Sequence, residues 1–414
     1  MKLKLKSLAG ASLACILLAS AGVQAAEITW WAYNASEAKA RELADKFTAE
    51  NPDITVRIEA TVPGGLQSRV LVALRAGSPP DLVDIQNGVT IPLAETGGLE
   101  PLGGFLTANN INTADFVPAS LRTATYNGEL YALPFQVESH AMMYNKQAFR
   151  DAGLDPEAPP QTWDELKTTV QTLTRDSNGG KMFGFGVAGG GQDQPGNTLF
   201  RTLPLMWMNG GGILSEDNQS VLVNSPESVA AIEMYTGFFK DGYAPPSTLE
   251  NDGLALRRLF AAENIAIIQG SQAEYLLIKG DNPDLDIGVA TLPHPEGKQP
   301  ASILGGWNWI VPAQAPNKAE TLKFLAFLSS PENIGFYTNT FPAVQSAFEQ
   351  ERHQNPELRG FRDMLQYARP QPPLANWSQM TQAYFESFQE ALLGQPVQEA
   401  MDAAASRIQP LIGK

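Results

Sequence analysis

Residues 27–59 read EITWWAYNASEAKARELADKFTAENPDITVRIE and contain three segments of different periodicity. Residues 27–31 are β-prone, and residues 36–50 place apolar side chains four positions apart, on one face of a helix. Residues 54–59 then alternate apolar and polar side chains, as in a strand with one covered face. A strand, a helix and a strand within about 30 residues predict a βαβ unit, and therefore an α/β fold that opens with parallel strands.

The same alternation continues downstream of this unit. Residues 66–75 predict a second helix, and residues 81–86 a third strand. Residues 162–165 (TWDE) form a capping box, and Ser-Pro pairs at 225–226 and 330–331 place an N-cap before a proline at the first helical position. No internal repeat or low-complexity linker divides the chain. We therefore expect its domains to exchange strands.

Composition restricts the class of protein. The chain has 414 residues, a prior for two or three domains, and 43% hydrophobic against 18% charged residues, as in a globular protein. Its formal net charge is −15. Because nucleic acid and anionic membrane surfaces bind clustered lysine and arginine, we expect no nucleic-acid partner.

Residues 1–25 are predicted to be a signal peptide for export to the periplasm. Three lysines precede a short apolar run at 8–19, and residues 23–25 (VQA) offer small side chains to a signal peptidase. Cys15, the single cysteine of the sequence, lies inside the apolar run. The preceding residues 12–14 (SLA) are a poor lipobox, so lipoprotein anchoring is not expected.

The middle of the chain carries a specific succession of short segments. Residues 126–135 read YNGELYALPF, and YNK, AGL and TWDEL follow at 144–146, 152–154 and 162–166. Further segments are GSPPD at 77–81, GLEPL at 98–102, LGG at 304–306 and FLAFLSSPE at 324–332. This succession resembles the extracellular solute-binding proteins of family 1, the sugar-binding components of ABC importers.

The resemblance implies an α/β, two-lobed periplasmic binding protein fold with an interlobe cleft and hinge crossings. The crossings are expected near Val137, Gln299 and Ala347. The implied parts are an N-lobe of 26–136 and 300–346, and a C-lobe of 137–299 and 347–414. Closure of the hinge would bury the ligand and present a surface to the membrane permease.

A sugar-binding pocket needs aromatic faces for the ring and polar groups for the hydroxyls, at the carboxyl ends of strands. By type and by matching position, the candidates are Trp31, Tyr33, Asn34, Gln67, Ser68, Gln86, Asn87, Glu138, Arg201, Gln272, Gly306, Trp307 and Trp377. Glu138 is the strongest candidate, because the resemblance places a ligand-contacting glutamate there and a carboxylate accepts two hydroxyl donors. The alternative is a hinge glutamate that is salt-bridged across the lobes.

Other candidates have alternatives of their own. Adjacent strand residues point to opposite faces, so at least one of Trp30 and Trp31 should belong to the core, and Trp31 or Tyr33 is the expected cleft aromatic. Gln67 and Ser68 could equally form a solvated first turn.

Arg201 and Gln272 stand where maltodextrin-binding members of the family carry aromatic side chains. The implied site is therefore polar and compact, and suits a small sugar better than a long glucan. A phosphorylated or acidic solute such as glycerol 3-phosphate is the rival ligand, with Arg201 as its partner. Two further alternatives are a secreted glycosidase that uses Glu138, and a carrier that presents its ligand to a chemoreceptor.

Two motifs of other protein classes lack their context. Residues 184–189 (GFGVAG) match G-x-G-x-x-G, but the following GGQDQPG at 190–196 cannot begin the helix that a dinucleotide fingerprint requires. The histidines at 140, 294 and 353 are far apart and have no cysteine nearby, so no metal site is expected. The resemblance implies instead a monomeric, periplasmic binding component of an ABC importer that needs no cofactor and catalyses no reaction.

Overall fold

The computed structural model describes residues 25–62, 64–177, 180–191, 196–374 and 376–413. The predicted signal peptide, Cys15 included, lies outside these residues except for Ala25. Within the described ranges, no helix is both long and apolar enough to cross a membrane.

The strands and helices alternate along most of the chain. The strands are β1 (Ala26–Tyr33), β2 (Ile54–Thr61), β3 (Leu82–Gln86), β4 (Thr125–Tyr126), β5 (Glu129–Leu130), β6 (Leu133–Asn145), β7 (Arg175–Ser177), β8 (Gly180–Phe185), β9 (Ile265–Ser271), β10 (Ile287–Ala290), β11 (Ser302–Ile310), β12 (Phe341–Pro342) and β13 (Ala368–Arg369). The α-helices are α1 (Glu37–Glu50), α2 (Leu66–Arg75), α3 (Asn87–Glu95), α4 (Gly103–Ala108), α5 (Pro118–Arg122), α6 (Lys146–Asp151), α7 (Trp163–Leu173), α8 (Gly196–Asn209), α9 (Pro226–Lys240), α10 (Gly253–Ala261), α11 (Gln272–Asp281), α12 (Lys318–Leu328), α13 (Pro331–Tyr337), α14 (Arg359–Met364), α15 (Trp377–Leu392) and α16 (Val397–Ile408). Short 3-10 helices lie at Asn34–Ser36, Thr113–Asp115, Pro246–Leu249, Gln345–Glu349, Glu351–His353, Pro356–Leu358, Leu365–Tyr367 and Gln409–Leu411.

The opening βαβ unit is confirmed. Strand β1 pairs in parallel with β2 along its whole length and with β3 on its other side. Ile28, Trp30 and Ala32 of β1 are fully buried, and α1 turns Leu43 and Phe47 into the same core. The alternating pattern thus places one face of β1 against the helix, as an amphipathic strand and helix require.

The sheet has two parts that meet on β6, in the order β2-β1-β3-β11-β6-β9-β8-β7. β6 pairs antiparallel with β11 through Ser139 and with β9 from His140 onward. Ser302 of β11 ties this junction, because its hydroxyl accepts the His140 backbone N–H at 2.8 Å and donates to the His140 carbonyl at 2.9 Å. The change of partner is close to the crossing predicted near Val137, and the lobe boundaries themselves stay a prediction.

A buried carboxylate fixes the end of β1 in the first part of the sheet. Asp84 of β3 accepts hydrogen bonds from the Trp30 indole at 2.7 Å, from the Tyr33 backbone N–H at 2.9 Å and from the Tyr337 hydroxyl. Burial raises the pKa of Asp84 to about 6, against the effect of these donors. Asp84 therefore holds Tyr33 in place where β1 opens towards the carboxyl ends of the strands.

In the second part, β8 runs into a loop at 186–191 and β9 runs into α11. The loop crosses close to another segment of backbone, since a Cβ atom on Gly190 would lie 2.2 Å from the Glu250 carbonyl carbon. No helix begins at Gly189, so the G-x-G-x-x-G match is a strand followed by a loop. Helix α11 begins with a capping box between Ser271 and Glu274.

Candidate ligand-binding site

Glu138 lies at the centre of the candidate site, on β6, two residues before the strand begins to pair with β9. It is opposite Gly305 of β11, where an added Cβ atom would lie 2.7 Å from the Glu138 Cγ. The glycine therefore makes room for the glutamate side chain over β11. The Ser271 hydroxyl and the Ala273 backbone N–H, at the start of α11, interact favourably with the ionised carboxylate. The Glu138 Oε2 atom is buried and has no partner.

The protonation of Glu138 is shifted by its surroundings. Burial, followed by the negative charge of Glu274, raises the pKa of Glu138 to about 7. The interactions with Ser271 and Ala273 favour the ionised form and offset only part of this effect. A positive charge or a hydrogen-bond donor next to Glu138 would therefore favour its ionised form at pH 7.

Arg201 of α8 forms an ion pair with Glu274, the second carboxylate of the site. Its Nη2 atom lies 2.6 Å from Glu274 Oε1, and its Nη1 donates to the Asn197 carbonyl at 3.0 Å. The other Glu274 oxygen, Oε2, accepts the Ser271 backbone N–H in the capping box at 2.8 Å. Arg201 is only 1% exposed, and its Nε has no hydrogen-bond partner. Glu274 thus serves both as the cap of α11 and as the counterion of Arg201.

Further buried polar atoms without a partner lie on the same elements or beside them. They are His140 Nδ1 on β6, Gln272 Oε1 at the first position of α11, and Asn251 Nδ2 just before α10. His140, Gln272 and Asn251 are each at most 6% exposed. Burial, followed by the positive charge of Arg201, lowers the pKa of His140 to about 4, so the ring is neutral at pH 7. Because buried polar groups are nearly always satisfied in native proteins, these atoms mark a place where a polar ligand fits.

An aromatic pair lies on the other side of Glu138. The Tyr33 ring stacks on the Trp307 ring with centroids 4.2 Å apart and planes at 19°. Burial, followed by the charge of Glu138, raises the pKa of the Tyr33 hydroxyl, so the hydroxyl lies within electrostatic range of the carboxylate. Gly306 has a φ of +138°, and a Cβ atom there would lie 2.1 Å from the Gln136 carbonyl oxygen. Gly306 therefore allows the backbone of β11 to pass close to that of β6 immediately before Trp307.

Three other predicted residues lie close to the carboxyl end of β3 or contact a segment that does. Gln86 is opposite Trp307 in the β3–β11 register and is exposed, and Asn87 is buried with its side-chain amide 3.5 Å from the Leu304 carbonyl oxygen. Trp377 donates its indole N–H to Gln371 Oε1 at 2.6 Å. The Nε2 atom of Gln371 would lie 3.6 Å from a Cβ atom on Gly88, the residue after Asn87. The segment before α15 therefore lies close to the start of α3, which directly follows β3.

The remaining predicted residues lie in different surroundings. Trp31 is 8% exposed, and the Arg69 guanidinium carbon lies 3.7 Å from its ring centroid, so this face of the indole is covered. Asn34, Gln67 and Ser68 are exposed at the starts of the helical segments that follow β1 and β2. A ligand role for these four residues stays a prediction.

Glu274 and Asp84 are not among the residues predicted for the site, although each holds a candidate residue in place. The pattern S-x-x-E at 271–274 is a signal for a helix start, and could have drawn attention to Glu274. Asp84 is a charged residue inside an otherwise apolar strand, which is a signal for a buried, satisfied carboxylate. Among the described residues, no group of three or more metal-ligating side chains could hold a metal ion.

Comparison with known proteins gives a consistent picture. A binding protein of Brucella abortus (strain 2308) is 28% identical over 372 residues, which cover 88% of this chain and 87% of that protein. The sn-glycerol-3-phosphate-binding periplasmic protein UgpB of Escherichia coli (strain K12) is 27% identical over 331 residues, covering 75% and 72%. The structure of an ABC transporter solute-binding protein from Thermotoga lettingae TMO, bound with α-D-tagatose, has a TM-score of 0.80 at 27% identity. That comparison covers 94% of this chain and 100% of the other.

The resemblance inferred from the short segments is confirmed, and with it the α/β, two-lobed binding-protein fold and the substrate-binding role. The relatives are solute-binding proteins of ABC transporters rather than enzymes. The sequence pattern described as bacterial extracellular solute-binding protein matches residues 31–334. This chain belongs to the bacterial extracellular solute-binding protein family.

Proposed function

We propose that this protein is the periplasmic substrate-binding component of an ABC importer and that its substrate is a carbohydrate, a monosaccharide, a small oligosaccharide or a derivative. The observation that carries the proposal is the combination, around Glu138, of the stacked Tyr33–Trp307 pair with buried polar atoms that have no partner. An aromatic face suits the C–H face of a sugar ring, and the polar atoms suit its hydroxyls.

The ligand would bind between two lobes that share β6 and β11. Arg201 of α8 and Gln272 of α11 would contact it from the second lobe, Tyr33 and Trp307 from the first part of the sheet, and Glu138 from β6 next to the junction of the two parts. The other predicted contacts would line the rim: Trp31, Asn34, Gln67, Ser68, Gln86, Asn87, Gly306 and Trp377. Binding closes the lobes only if the closed state binds the ligand much better than the open state.

The remaining parts of the proposal concern the protein's place in the cell. The first 25 residues would direct export and be removed, without a lipid anchor, and the mature chain would act as a monomer in the periplasm. The closed form would dock on the permease subunits and release the sugar without chemical change. The periplasmic location of the relative UgpB supports this arrangement.

An acidic or phosphorylated solute is the second candidate, because UgpB is a glycerol-3-phosphate-binding protein by name. Arg201 would have to bind the anion. Its 2.6 Å ion pair with Glu274 leaves only the Nε atom without a partner, which favours an uncharged polyhydroxylated ligand.

The proposal is tested by thermal shift on purified protein that has been unfolded and refolded to remove any bound ligand. The panel contains monosaccharides, disaccharides, polyols, sugar acids and glycerol 3-phosphate. A concentration-dependent rise in melting temperature with a sugar is expected, since a ligand that binds only the folded state stabilises it by mass action. A shift with glycerol 3-phosphate alone would favour the second candidate. Turnover of a chromogenic glycoside would contradict a pure binding role.

A further inference from the structure

The charges of the buried groups around Glu138 and Glu274 do not balance. Glu138 and Glu274 interact with one another, and Arg201 is the cation that pairs with them, through Glu274 at 2.6 Å. The neighbouring His140 is neutral at pH 7, since its pKa is lowered to about 4. With Glu138 ionised, these four groups carry a net charge of −1.

Arg69, which lies over Trp31, does not offset this net negative charge. Arg69 covers Trp31, but its Nη2 atom lies 3.1 Å from Glu59 Oε2, so it already has a counterion. Tyr33 contributes no positive charge, and its hydroxyl also interacts unfavourably with Glu138 when ionised. An anionic ligand at this site would therefore meet two carboxylates and no unpaired cation among these groups.

Two buried acceptor atoms at the site have no donor. Glu138 Oε2 is buried without a partner, and Gln272 Oε1, on a residue that is 2% exposed, is in the same condition. Both residues are close to the first turn of α11: Gln272 begins the helix, and the Glu138 carboxylate interacts with Ser271 and Ala273, the neighbours of Gln272 in the chain. An ammonium group has three donors and no acceptor, and would satisfy both atoms while cancelling the net charge.

We infer that the ligand carries no negative charge and places a protonated amino group on Glu138 and Gln272, so that the substrate is an amino sugar or an amino polyol. The inference rests on the proposed function and narrows it. It also assigns distinct roles to the carboxylates: Glu138 binds the amine, and Glu274 neutralises Arg201 so that the site does not attract anions.

The first experiment measures affinities by calorimetry at pH 7 for matched ring systems that differ only in charge. The probes are D-glucose, D-glucosamine and D-glucuronate, with the three galactose counterparts. We expect the amine to bind at least tenfold more tightly than the neutral sugar, and the acid to bind more weakly than both. Equal or weaker binding of the amine, or binding of the acid as tight as that of the neutral sugar, would overturn the inference but leave the proposed function standing. No binding by any probe would contradict the proposed function for sugars of this size, and the inference with it.

The second experiment uses Glu274→Gln, because glutamine also forms a capping box and the start of α11 should be kept. This substitution removes a carboxylate and leaves the Arg201 charge unpaired. We expect the preference for amine over neutral sugar to fall at least tenfold and the affinity for the acid to rise. An unchanged preference in a variant with wild-type melting temperature would overturn the inference.

Glu138→Gln provides a second variant in case Glu274→Gln is unstable. It should remove the preference for the amine while the neutral sugar still binds through the aromatic pair. The exposed Glu216→Gln is the matched control and should leave all affinities unchanged.

Discussion

The Tyr33 ring stacks on the Trp307 ring, with centroids 4.2 Å apart. Tyr33 ends β1 and Trp307 lies within β11, so two distant segments of the chain supply one aromatic surface beside Glu138. Asp84 accepts the Tyr33 backbone N–H, and Gly306 lets β11 pass close to Gln136, so the backbone is held in place on both sides of this surface. Preorganisation of this kind lowers the entropy lost on binding.

Replacement of Trp307 with leucine should weaken sugar binding. The substitution removes the stacking partner of Tyr33, and an aromatic pair contributes about 0.5–1.5 kcal/mol beyond its buried area. We expect the dissociation constant of the best sugar in the screen to rise about tenfold, measured by calorimetry. Trp163→Leu at the start of α7 is the control, since it should lower the melting temperature and leave affinity unchanged. Wild-type affinity in Trp307→Leu would remove the aromatic pair from the site.

Replacement of Glu138 with alanine should weaken binding by about 2 kcal/mol or more, because charge-assisted hydrogen bonds to the ligand are lost. That corresponds to roughly a 30-fold rise in the dissociation constant, measured by calorimetry at pH 7. The exposed Glu216→Ala gives the control. If Glu138→Ala binds as well as the wild type, Glu138 belongs to the hinge and not to the ligand site.

Much of the fold could be predicted because it depends on local patterns. The alternation in β2, the amphipathic face of α1 and the capping box at residues 162–165 are visible in the sequence, and the structure contains all three. The succession of family segments supplied the two-lobed architecture. The point at which β6 exchanges β11 for β9 depends on pairing between distant strands, which no local pattern reports.

The sequence predicted the candidate residues of the site better than it predicted the contacts between them. Glu138, Trp307 and Tyr33 were candidates, and the structure places them together. The sequence could not show that Arg201 is paired with Glu274, since this contact joins α8 to α11. It also could not show that Arg69 covers Trp31, because both side chains had plausible solvent-facing orientations. Pairing across elements decides which polar groups are left for a ligand.

Gly306→Ala should destabilise the protein and weaken ligand binding together. A Cβ atom at Gly306 would lie 2.1 Å from the Gln136 carbonyl oxygen, at a φ of +138° that side chains rarely adopt, so β11 must shift away from β6. We expect a loss of about 2 kcal/mol or more in the free energy of unfolding, measured with urea. Gly104→Ala in α4 is the matched control, because a Cβ atom there has no neighbour within 4 Å, and should be neutral or slightly stabilising. Equal stability of the two variants would contradict this account of Gly306.

Asp84→Asn should change how stability depends on pH. The pKa of Asp84 is raised to about 6 in the folded protein, above the value of about 3.9 expected in the unfolded chain. The folded state therefore binds this proton more tightly, so the stabilising contribution is complete below pH 4 and is lost as pH rises through 6. Two pKa units correspond to roughly 3 kcal/mol. Asparagine does not titrate, so the wild type's free energy of unfolding minus that of the variant should fall by about this amount between pH 4 and pH 7.

Urea denaturation at pH 4, 5, 6 and 7 measures this difference. Other groups with a shifted pKa, such as Glu138 at about 7 and His140 at about 4, titrate in both proteins and cancel. Asp45→Asn, which removes an exposed carboxylate on α1, is the control. A pH-independent difference for Asp84→Asn would mean that Asp84 is ionised throughout. In that case the donors from Trp30, Tyr33 and Tyr337 would outweigh the cost of burying its charge.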